Sequence, residues 1–427
     1  MAKKVKILIP NATGPSNPGD QAILQSMIRI LRQIPVKIDE IALHSTDHHL
    51  YKKSHGIKVK PTIYMWAGFQ NKNPLVRMIR LFRLLLSYLT TKFGFSVVIS
   101  SDLRVLLNDY KRADLIVFAG GGYLRSQKGL TQTLNLLMNL AMFQFAKLYR
   151  KKTIVAPISI GPFGYSWHEK LTARTMKEFA AVFLREERSY NLLKKHKVKN
   201  IIHANDLALL ATHPQTKKSS RDTFTVGFTI RDWLPKEKQL CLETSYAEAL
   251  TQFSRKTGAL IQPIAQVDNN MYGDRDRDVA IHVINKLHAA GVKTLPLKTV
   301  KAYPGDTTIY GEIDLLMGMR MHSLIFAILQ NTPFVAVSYE HKTEGLMQTL
   351  GLSHLCVQSN KATGKNLQAL LFEVYEKKDV LKKSLASSLT RIKGEEEKRW
   401  KELFAQWLTL SLFVSGASVL KEFPVYP

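Results

Sequence analysis

The sequence predicts two doubly wound α/β units, and three observations carry that expectation. At 427 residues the chain is too long for one ordinary hydrophobic core, so two domains are the natural reading. Short apolar runs alternate with helical stretches, and the unusual loops follow the strands, which is the pattern of a mostly parallel sheet. Residues 314–337, DLLMGMRMHSLIFAILQNTPFVAV, read as strand or turn, helix and buried strand, with Arg320 and His322 at the helix entrance. A helix entrance presents free backbone N–H groups and the positive end of the dipole. A guanidinium fork beside an imidazole there reads as an anion site with an acid/base group attached; the plainer reading is a surface arginine and a capping histidine.

In chain order, residues 5–9 are a buried strand, 11–19 a loop and 20–32 a helix, with Asp20 at the N-cap place. The loop brings Asn17, Gly19 and Asp20 to the carboxyl end of the first strand, where ligands bind in open α/β sheets. A turn role for Gly19 and a cap role for Asp20 are compatible with that. No Gly-Lys-Ser/Thr follows, so this is not a Walker loop. A second strand spans 38–44. His44, His48, His49 and His55 read as solvated or at most as acceptor-loop contacts, and the His48–His49 pair lacks a third ligand, so no metal site is expected. A strand over 115–119 runs into Gly120-Gly121-Gly122, whose backbone can approach a ligand closely. A helix at 134–148, strands at 153–160 and 182–185, a helix start near Ser189, and 200–203 with NDLALL complete a unit placed at 1–213.

Residues 214–222 are polar and aperiodic and read as a linker. The second unit, 223–384, opens with a strand over 225–230 that ends at Arg231. A helix at 245–257, a strand at 260–265 and a largely helical 274–290 follow, with GDRDRD as a solvated helix entry. Residues 306–316 lead into the 314–337 stretch, 338–350 form a loop and helix, and 365–399 form a charged helix. A tail, 385–427, is expected to pack back on the first unit or lie at a membrane surface.

Two cysteines, Cys241 and Cys356, lie among apolar neighbours with no CxxC or Cys/His cluster. That implies a reducing, cytoplasmic setting without a disulfide framework or zinc site. A net charge of +27 admits nucleic acid, an anionic membrane face or anionic substrates. The basic residues are spread along the chain without an RNP-like or zinc-finger pattern, so no nucleic-acid partner is expected. MAKKVKILIP reads as a first strand and not as a signal peptide. Residues 75–89 are apolar but broken by Arg77, Arg80 and Arg83, which suits an interfacial or core helix. Residues 403–420 are uncharged and reach the spanning length of about 18 residues. Gln406, Thr409, Ser411, Ser415, Gly416 and Ser418 make a docked or interfacial helix the preferred reading there.

Six pieces occur in order over residues 5–355: Asn17-x-Gly19-Asp20, Gly120-Gly121-Gly122, Ser159-Ile160-Gly161-Pro162, Arg185-Glu186-x-x-Ser189, Arg231, and Arg320-x-His322-Ser323 with Pro333 behind it. In this the chain resembles the polysaccharide pyruvyl transferase family. It departs at Asp206-Leu207, where the family usually has Asp-Pro, and Asp206 is weighted down accordingly. The resemblance implies a GT-B-like fold, two Rossmann-like doubly wound domains facing across a cleft. It also implies phosphoenolpyruvate as donor, no separate cofactor, and a sugar of a cell-surface or exopolysaccharide precursor as acceptor. The product would be a pyruvate ketal, with phosphate released.

Phosphoenolpyruvate is a small trianion, for which forked arginines suit better than lysines. Arg231 and Arg320, with His322 and Ser323 at the helix start, are therefore expected on the donor side. His322 is the candidate general acid/base. Asp20 would orient or deprotonate an acceptor hydroxyl, while Asn17, Gly19, Gly121 and Gly122 would hold the sugar. The positive charge and the apolar segments fit peripheral work at the anionic inner face of a plasma membrane, on a lipid-linked saccharide. One rival is a nucleotide-sugar glycosyltransferase of the same fold, with Glu340 or Glu344 holding the ribose. The other is a silent saccharide-binding protein, against which Arg231, Arg320 and His322 argue together.

Overall fold

The computed structural model describes residues 4–33, 37–51, 57–68, 73–93, 95, 100–212, 216, 223–269, 274–301 and 305–413. The expected linker (Thr216 apart), His55 and the tail beyond 413 lie outside them.

The first half runs β1 (Val5–Ala12), α1 (Pro18–Arg32), β2 (Ile38–Ser45), β3 (Lys58–Pro61), α2 (Ile63–Trp66), α3 (Pro74–Lys92), α4 (Ser101–Arg112), β4 (Leu115–Phe118), β5 (Gly121–Ser126), α5 (Leu130–Leu148), β6 (Lys152–Phe163), α6 (Ser166–Met176), β7 (Ala181–Leu184), α7 (Glu187–Lys195) and β8 (Ile201–His203). Its sheet is eight-stranded and parallel, in the order β3-β2-β1-β4-β6-β7-β8, with β5 added on β6. Helices cover both faces, so the central strands are apolar throughout; Leu115–Phe118 is buried at every position.

The second half runs β9 (Thr225–Thr229), α8 (Lys236–Thr257), β10 (Leu260–Ala265), a small antiparallel pair β11 (Asp268–Asn269) and β12 (Asp274–Arg275), α9 (Asp276–Ala289), β13 (Lys298–Thr299), β14 (Leu315–Gly318), α10 (Met321–Leu329), β15 (Phe334–Ser338), α11 (His341–Thr349), β16 (Cys356–Gln358), α12 (Gly364–Glu376) and α13 (Lys378–Phe413). Its six-stranded parallel sheet has the order β13-β10-β9-β14-β15-β16. The order reverses beside β9 and β14, and that switch point puts the ends of those two strands at the mouth of the cleft.

Several sequence expectations change. The charged segment 365–399 is two helices, α12 and α13, and α12 starts on a capping box between Thr363 and Asn366. Residues 121–126, where only glycines at the end of the preceding strand were expected, pair with β6 as a strand. His44 is not solvated: it is fully buried, with Nε2 2.9 Å from Asp109 Oδ2, and burial lowers its pKa despite that carboxylate.

The two halves share one apolar core. It runs from the α1 face of the first sheet through Leu207–Leu210 into α10 and α13, while the opposite face of the first sheet has a core of its own around Phe118, Phe143 and Tyr110. α13 returns to the first half, where Trp400 is buried against Phe183, ring centroids 4.2 Å apart. Beside it, Glu396 Oε1 accepts from the backbone and side chain of Asn205 at 3.2 and 3.0 Å. Among the described residues no helix is long and apolar enough to cross a membrane.

Candidate active site between the two halves

β14 delivers the chain to Arg320, which is the N-cap residue of α10, and His322 lies in the first turn of that helix. The helix is buried almost all round, so its position is set by core packing, and its N-terminus points across the cleft at the first turn of α1. There His322 packs on Gly19. A Cβ built on Gly19 would fall 2.6 Å from the Cβ of His322 and closer still to its ring, so only glycine admits this approach. The structure thus gives Gly19 a packing role under the imidazole. His322 Nε2 is 3.7 Å from Asp206 Oδ2, too long for a hydrogen bond, and it has no hydrogen-bond partner among the described residues.

Asp206 belongs to a buried polar network that sequence reasoning did not assemble. Its carboxylate pairs with Arg185 Nη1 and accepts from Ala208 N at 2.8 Å. Arg185 Nε donates to Ser159 Oγ at 2.8 Å, and Ser159 Oγ donates to Glu186 Oε2 at 2.8 Å. Glu186 also bonds Ser189, whose hydroxyl accepts from Ile160 N at 2.7 Å. On its far side, Glu186 Oε1 is 3.2 Å from His341 Nε2 of the second half. The network therefore ends on an imidazole from the second half at each side, His322 at Asp206 and His341 at Glu186. Burial pushes the Asp206 carboxyl up, but Arg185 and then His322 outweigh it and hold the group well below the usual carboxylate range. In Glu186, burial is likewise outweighed, by His341, Ser189 and Arg185.

The donor-side expectations need correction. Arg320 does not present its whole fork to the cleft: Nε and Nη2 donate to Asp276 Oδ2 and Oδ1 at 2.7 and 2.6 Å. Asp276, read as part of a solvated acidic entry, is fully buried and also accepts from Val267 N at 3.0 Å. Burial lifts its carboxyl above the ordinary range in spite of Arg320. Ser323 faces away from the cleft. Its hydroxyl is fully buried, donating to Arg320 O at 2.6 Å beside Thr229 Oγ1 at 3.0 Å. Arg231 does face the cleft, with its guanidinium over the rings of Trp233 and Tyr339 and Nη1 donating to Tyr339 Oη at 3.0 Å.

On the opposite wall the cap residue of α1 is Asn17, not Asp20. Asn17 Oδ1 accepts from Gly19 N and Asp20 N at 3.2 and 3.4 Å, and its amide donates to Asp20 Oδ2 at 2.9 Å. The helix begins at Pro18, which needs no N–H partner at that position. Asp20 is left half-buried at the cavity edge. Gly121, at φ +145°, turns the chain into β5, and Gly122 comes within reach of Arg185 and Lys342.

These side chains line one cavity of about 420 Å³ that takes its walls from both halves. Asn17, Asp20, Gly121 and Gly122 are on one side, and Arg231, Arg320 and His322 on the other. Five arginine or lysine residues and one carboxylate residue line it, which favours an anionic ligand. A second chamber of about 640 Å³ adjoins it, sharing Arg125 and Tyr339, and carries Trp233, Glu340 and Glu344. Arg125 of the first half pairs with Glu340 of the second, whose carboxyl burial pushes up but Lys342 and Arg125 hold down at about 2. Among the described residues no group of three or more His, Cys, Asp or Glu side chains is placed to hold a metal ion.

Comparison with known proteins gives this arrangement a context. The family model "Polysaccharide pyruvyl transferase" matches residues 17–341. The amylovoran biosynthesis protein AmsJ of Erwinia amylovora is 22% identical over 378 residues, 82% of this chain and 87% of that one. Among solved structures, the UDP-GlcNAc 2-epimerase of Neisseria meningitidis bound to UDP-GlcNAc has a TM-score of 0.54 at 9% identity, covering 95% of this chain and 99% of that one. Trehalose-6-phosphate synthase (OtsA) has a TM-score of 0.54 at 11% identity, covering 96% and 99%. At such identities these structures establish the fold, which is GT-B-like. The chain belongs to the polysaccharide pyruvyl transferase family, and so to the transferases of polysaccharide biosynthesis.

Proposed function

We propose that this family member transfers the pyruvyl group of phosphoenolpyruvate to two hydroxyls of a sugar in a polysaccharide precursor, forming a ketal and releasing phosphate. The observation that carries the reading is the seating of His322. An imidazole without a hydrogen-bond partner at Nε2 stands at the junction of the two walls, in a cavity whose charged lining is mainly cationic. A binding module has no need of such a group, whereas proton delivery to a bound anion does.

The reaction moves two protons. One is added to the methylene carbon of phosphoenolpyruvate, which makes C2 electrophilic; the first hydroxyl adds there and gives up its proton. The C2–O bond to phosphate then breaks, the second hydroxyl closes the ketal, and its proton leaves with phosphate. Of the two hydroxyl protons, one is thus balanced by the new methyl group and the other by phosphate. In this reading His322 delivers the first proton, and Arg231 with the N-terminal N–H groups of α10 holds the carboxylate and phosphate. Arg320 serves mainly as the arm that Asp276 locks, fixing the start of α10. Asp20 on the opposite wall receives or orients an acceptor hydroxyl, with Asn17 positioning its carboxylate through the amide contact.

The nucleotide-sugar alternative is weakened by Glu340, which is taken up by Arg125 and Lys342, leaving Glu344 at the outer chamber as its ribose candidate. Calorimetry with phosphoenolpyruvate and with UDP separates the two. Binding of phosphoenolpyruvate that Arg231→Ala abolishes is the expected result, and UDP binding without phosphoenolpyruvate binding would overturn it. With a competent acceptor, His322→Ala is expected to lower phosphate release about a hundred- to ten-thousand-fold.

A further inference from the structure

α3 has an outward face that the described residues leave uncovered. Leu75, Met78, Ile79, Phe82, Leu85 and Leu89 recur at helical spacing and are exposed, Phe82 to 64% and Met78 to 62%. Phe93 and Phe95 extend the stripe past the helix end, both about two-thirds exposed at 70% and 66%. The inner face is held: Leu84 and Ser87 are buried, and Arg80 Nη1 donates to Trp66 O at 2.8 Å. The apolar stripe is therefore the side turned away from the protein. Isolated exposed apolar residues need no explanation, but a contiguous row of large ones does.

The charge around the stripe identifies its occupant. PLVRMIRLFRLLLSYLTTK contains three arginines, one lysine and no acid, in a chain of net charge +27. At 3.6 residues per turn, Arg83 and Lys92, both exposed, flank the stripe on opposite sides. A protein partner would have to match eight protruding apolar side chains, whereas a bilayer surface accepts any such stripe, and anionic headgroups pair with the flanking cations. We infer that α3 docks the protein on an anionic membrane surface, lying in the plane of the headgroups with the stripe inserted.

The placement suits the cavity. α3 is tied through Arg80 to Trp66 at the end of α2, and Thr62 and Tyr64, at the other end of that short helix, line the wall of the cleft. Docking by α3 would hold the first-half wall near the headgroups, where a saccharide on a lipid carrier presents itself. The inference stands on α3 alone and does not depend on which group the enzyme transfers.

The test is flotation of the full chain with vesicles of phosphatidylcholine alone and of phosphatidylcholine with phosphatidylglycerol, at low and raised salt. The expected result is binding to the anionic vesicles that weakens with salt. Met78→Ser and Phe82→Ser should each lower vesicle affinity about tenfold, and Arg83→Glu with Lys92→Glu should abolish the preference for anionic lipid. These positions are exposed, so thermal melts of the variants should match the wild type; should the serine variants misfold, the charge variants carry the test. A wild type that stays unbound at low salt overturns the inference. So does undiminished vesicle binding by the Met78→Ser, Phe82→Ser double variant. A stripe-dependent dimer in sedimentation, without vesicle binding, would overturn it in favour of a second copy of the chain.

Discussion

Each half of the molecule buries one arginine–aspartate pair behind its wall of the cleft, and the two pairs are built for different ends. Arg320 and Asp276 form a closed fork, two hydrogen bonds within the second half, directed at the start of α10. Asp206 shares its carboxylate between Arg185 of its own half and His322 of the other. Burial wins in Asp276 and raises its carboxyl, whereas in Asp206 the contacts with Arg185, His322 and a backbone N–H win and lower it. A pair with one partner sets a local geometry. A pair with a partner across the cleft makes the two walls sense each other.

The largest expected effect comes from removing one member of either pair. Asp276→Ala removes the carboxylate that holds the buried Arg320 guanidinium and is expected to cost about 3–5 kcal/mol in denaturant unfolding. Asp206→Ala should cost a similar amount, and the comparison is sharpened by adding His322→Ala to each. With Asp206→Ala the double variant should be non-additive, because the two residues share a contact. With Asp276→Ala the two costs should add to within about 0.5 kcal/mol. Equal coupling in both cycles would erase the distinction.

Next in size is Gly19→Ala. The added Cβ meets the His322 imidazole, so α1 and α10 must separate, at about 1–3 kcal/mol. His322→Ala in the same chain should recover most of that stability without recovering activity. Recovery of neither would mean that Gly19 is required for its backbone alone.

The pH dependence of stability should then run in opposite directions for the two aspartates. Asp206 has a folded pKa below its unfolded value of about 3.9, so its contribution is full above that value and fades as pH falls through the range below it. Asp276 has a folded pKa above its unfolded value, so its ionisation within the fold weighs against stability as pH rises through that interval. In unfolding between about pH 3 and 6, the deficit of Asp206→Asn against wild type should widen with rising pH. The deficit of Asp276→Asn should narrow. Parallel deficits would show that both carboxylates titrate alike.

What could be read from sequence follows from which interactions are local. The buried parallel strands were legible because both of their faces are apolar, and α10 because it is apolar without a break from Leu324 to Leu329. β5 was not, since two glycines open it and its pairing with β6 is set more than thirty residues later. Within the site, Arg231 and His322 were picked out for their chemistry and do line the cavity. Gly19 was picked out as a loop glycine, but only the folded chain shows whose ring it admits. Asp276 was lost in a run of alternating charges, because only the register of α9 decides which of its acids turns inward. Asp206 was discounted for the leucine that follows it, although its carboxylate caps the short 3-10 turn Leu207–Leu210 with leucine there. The Ser159–Glu186 link joins residues 27 apart and carries no local pattern at all.

The smallest effect is expected where the halves meet in solvent. Arg125 is 40% exposed where it pairs with Glu340, itself 9% exposed, and a pair open to water on one side contributes on the order of 1 kcal/mol. Lys342 Nζ lies 2.7 Å from the other oxygen of Glu340, so Arg125→Ala leaves that carboxylate paired and should barely move the melting temperature. Its effect belongs to closure of the cleft, since Arg125 and Glu340 sit on opposite halves at the border of the two chambers. A rise of a few-fold in the acceptor KM with kcat little changed is therefore expected, and added salt should produce the same rise in the wild type by screening the pair. A fall in kcat as large as that from His322→Ala would place Arg125 among the groups that touch the reacting atoms, and the exposed bridge would then rank with the buried pairs.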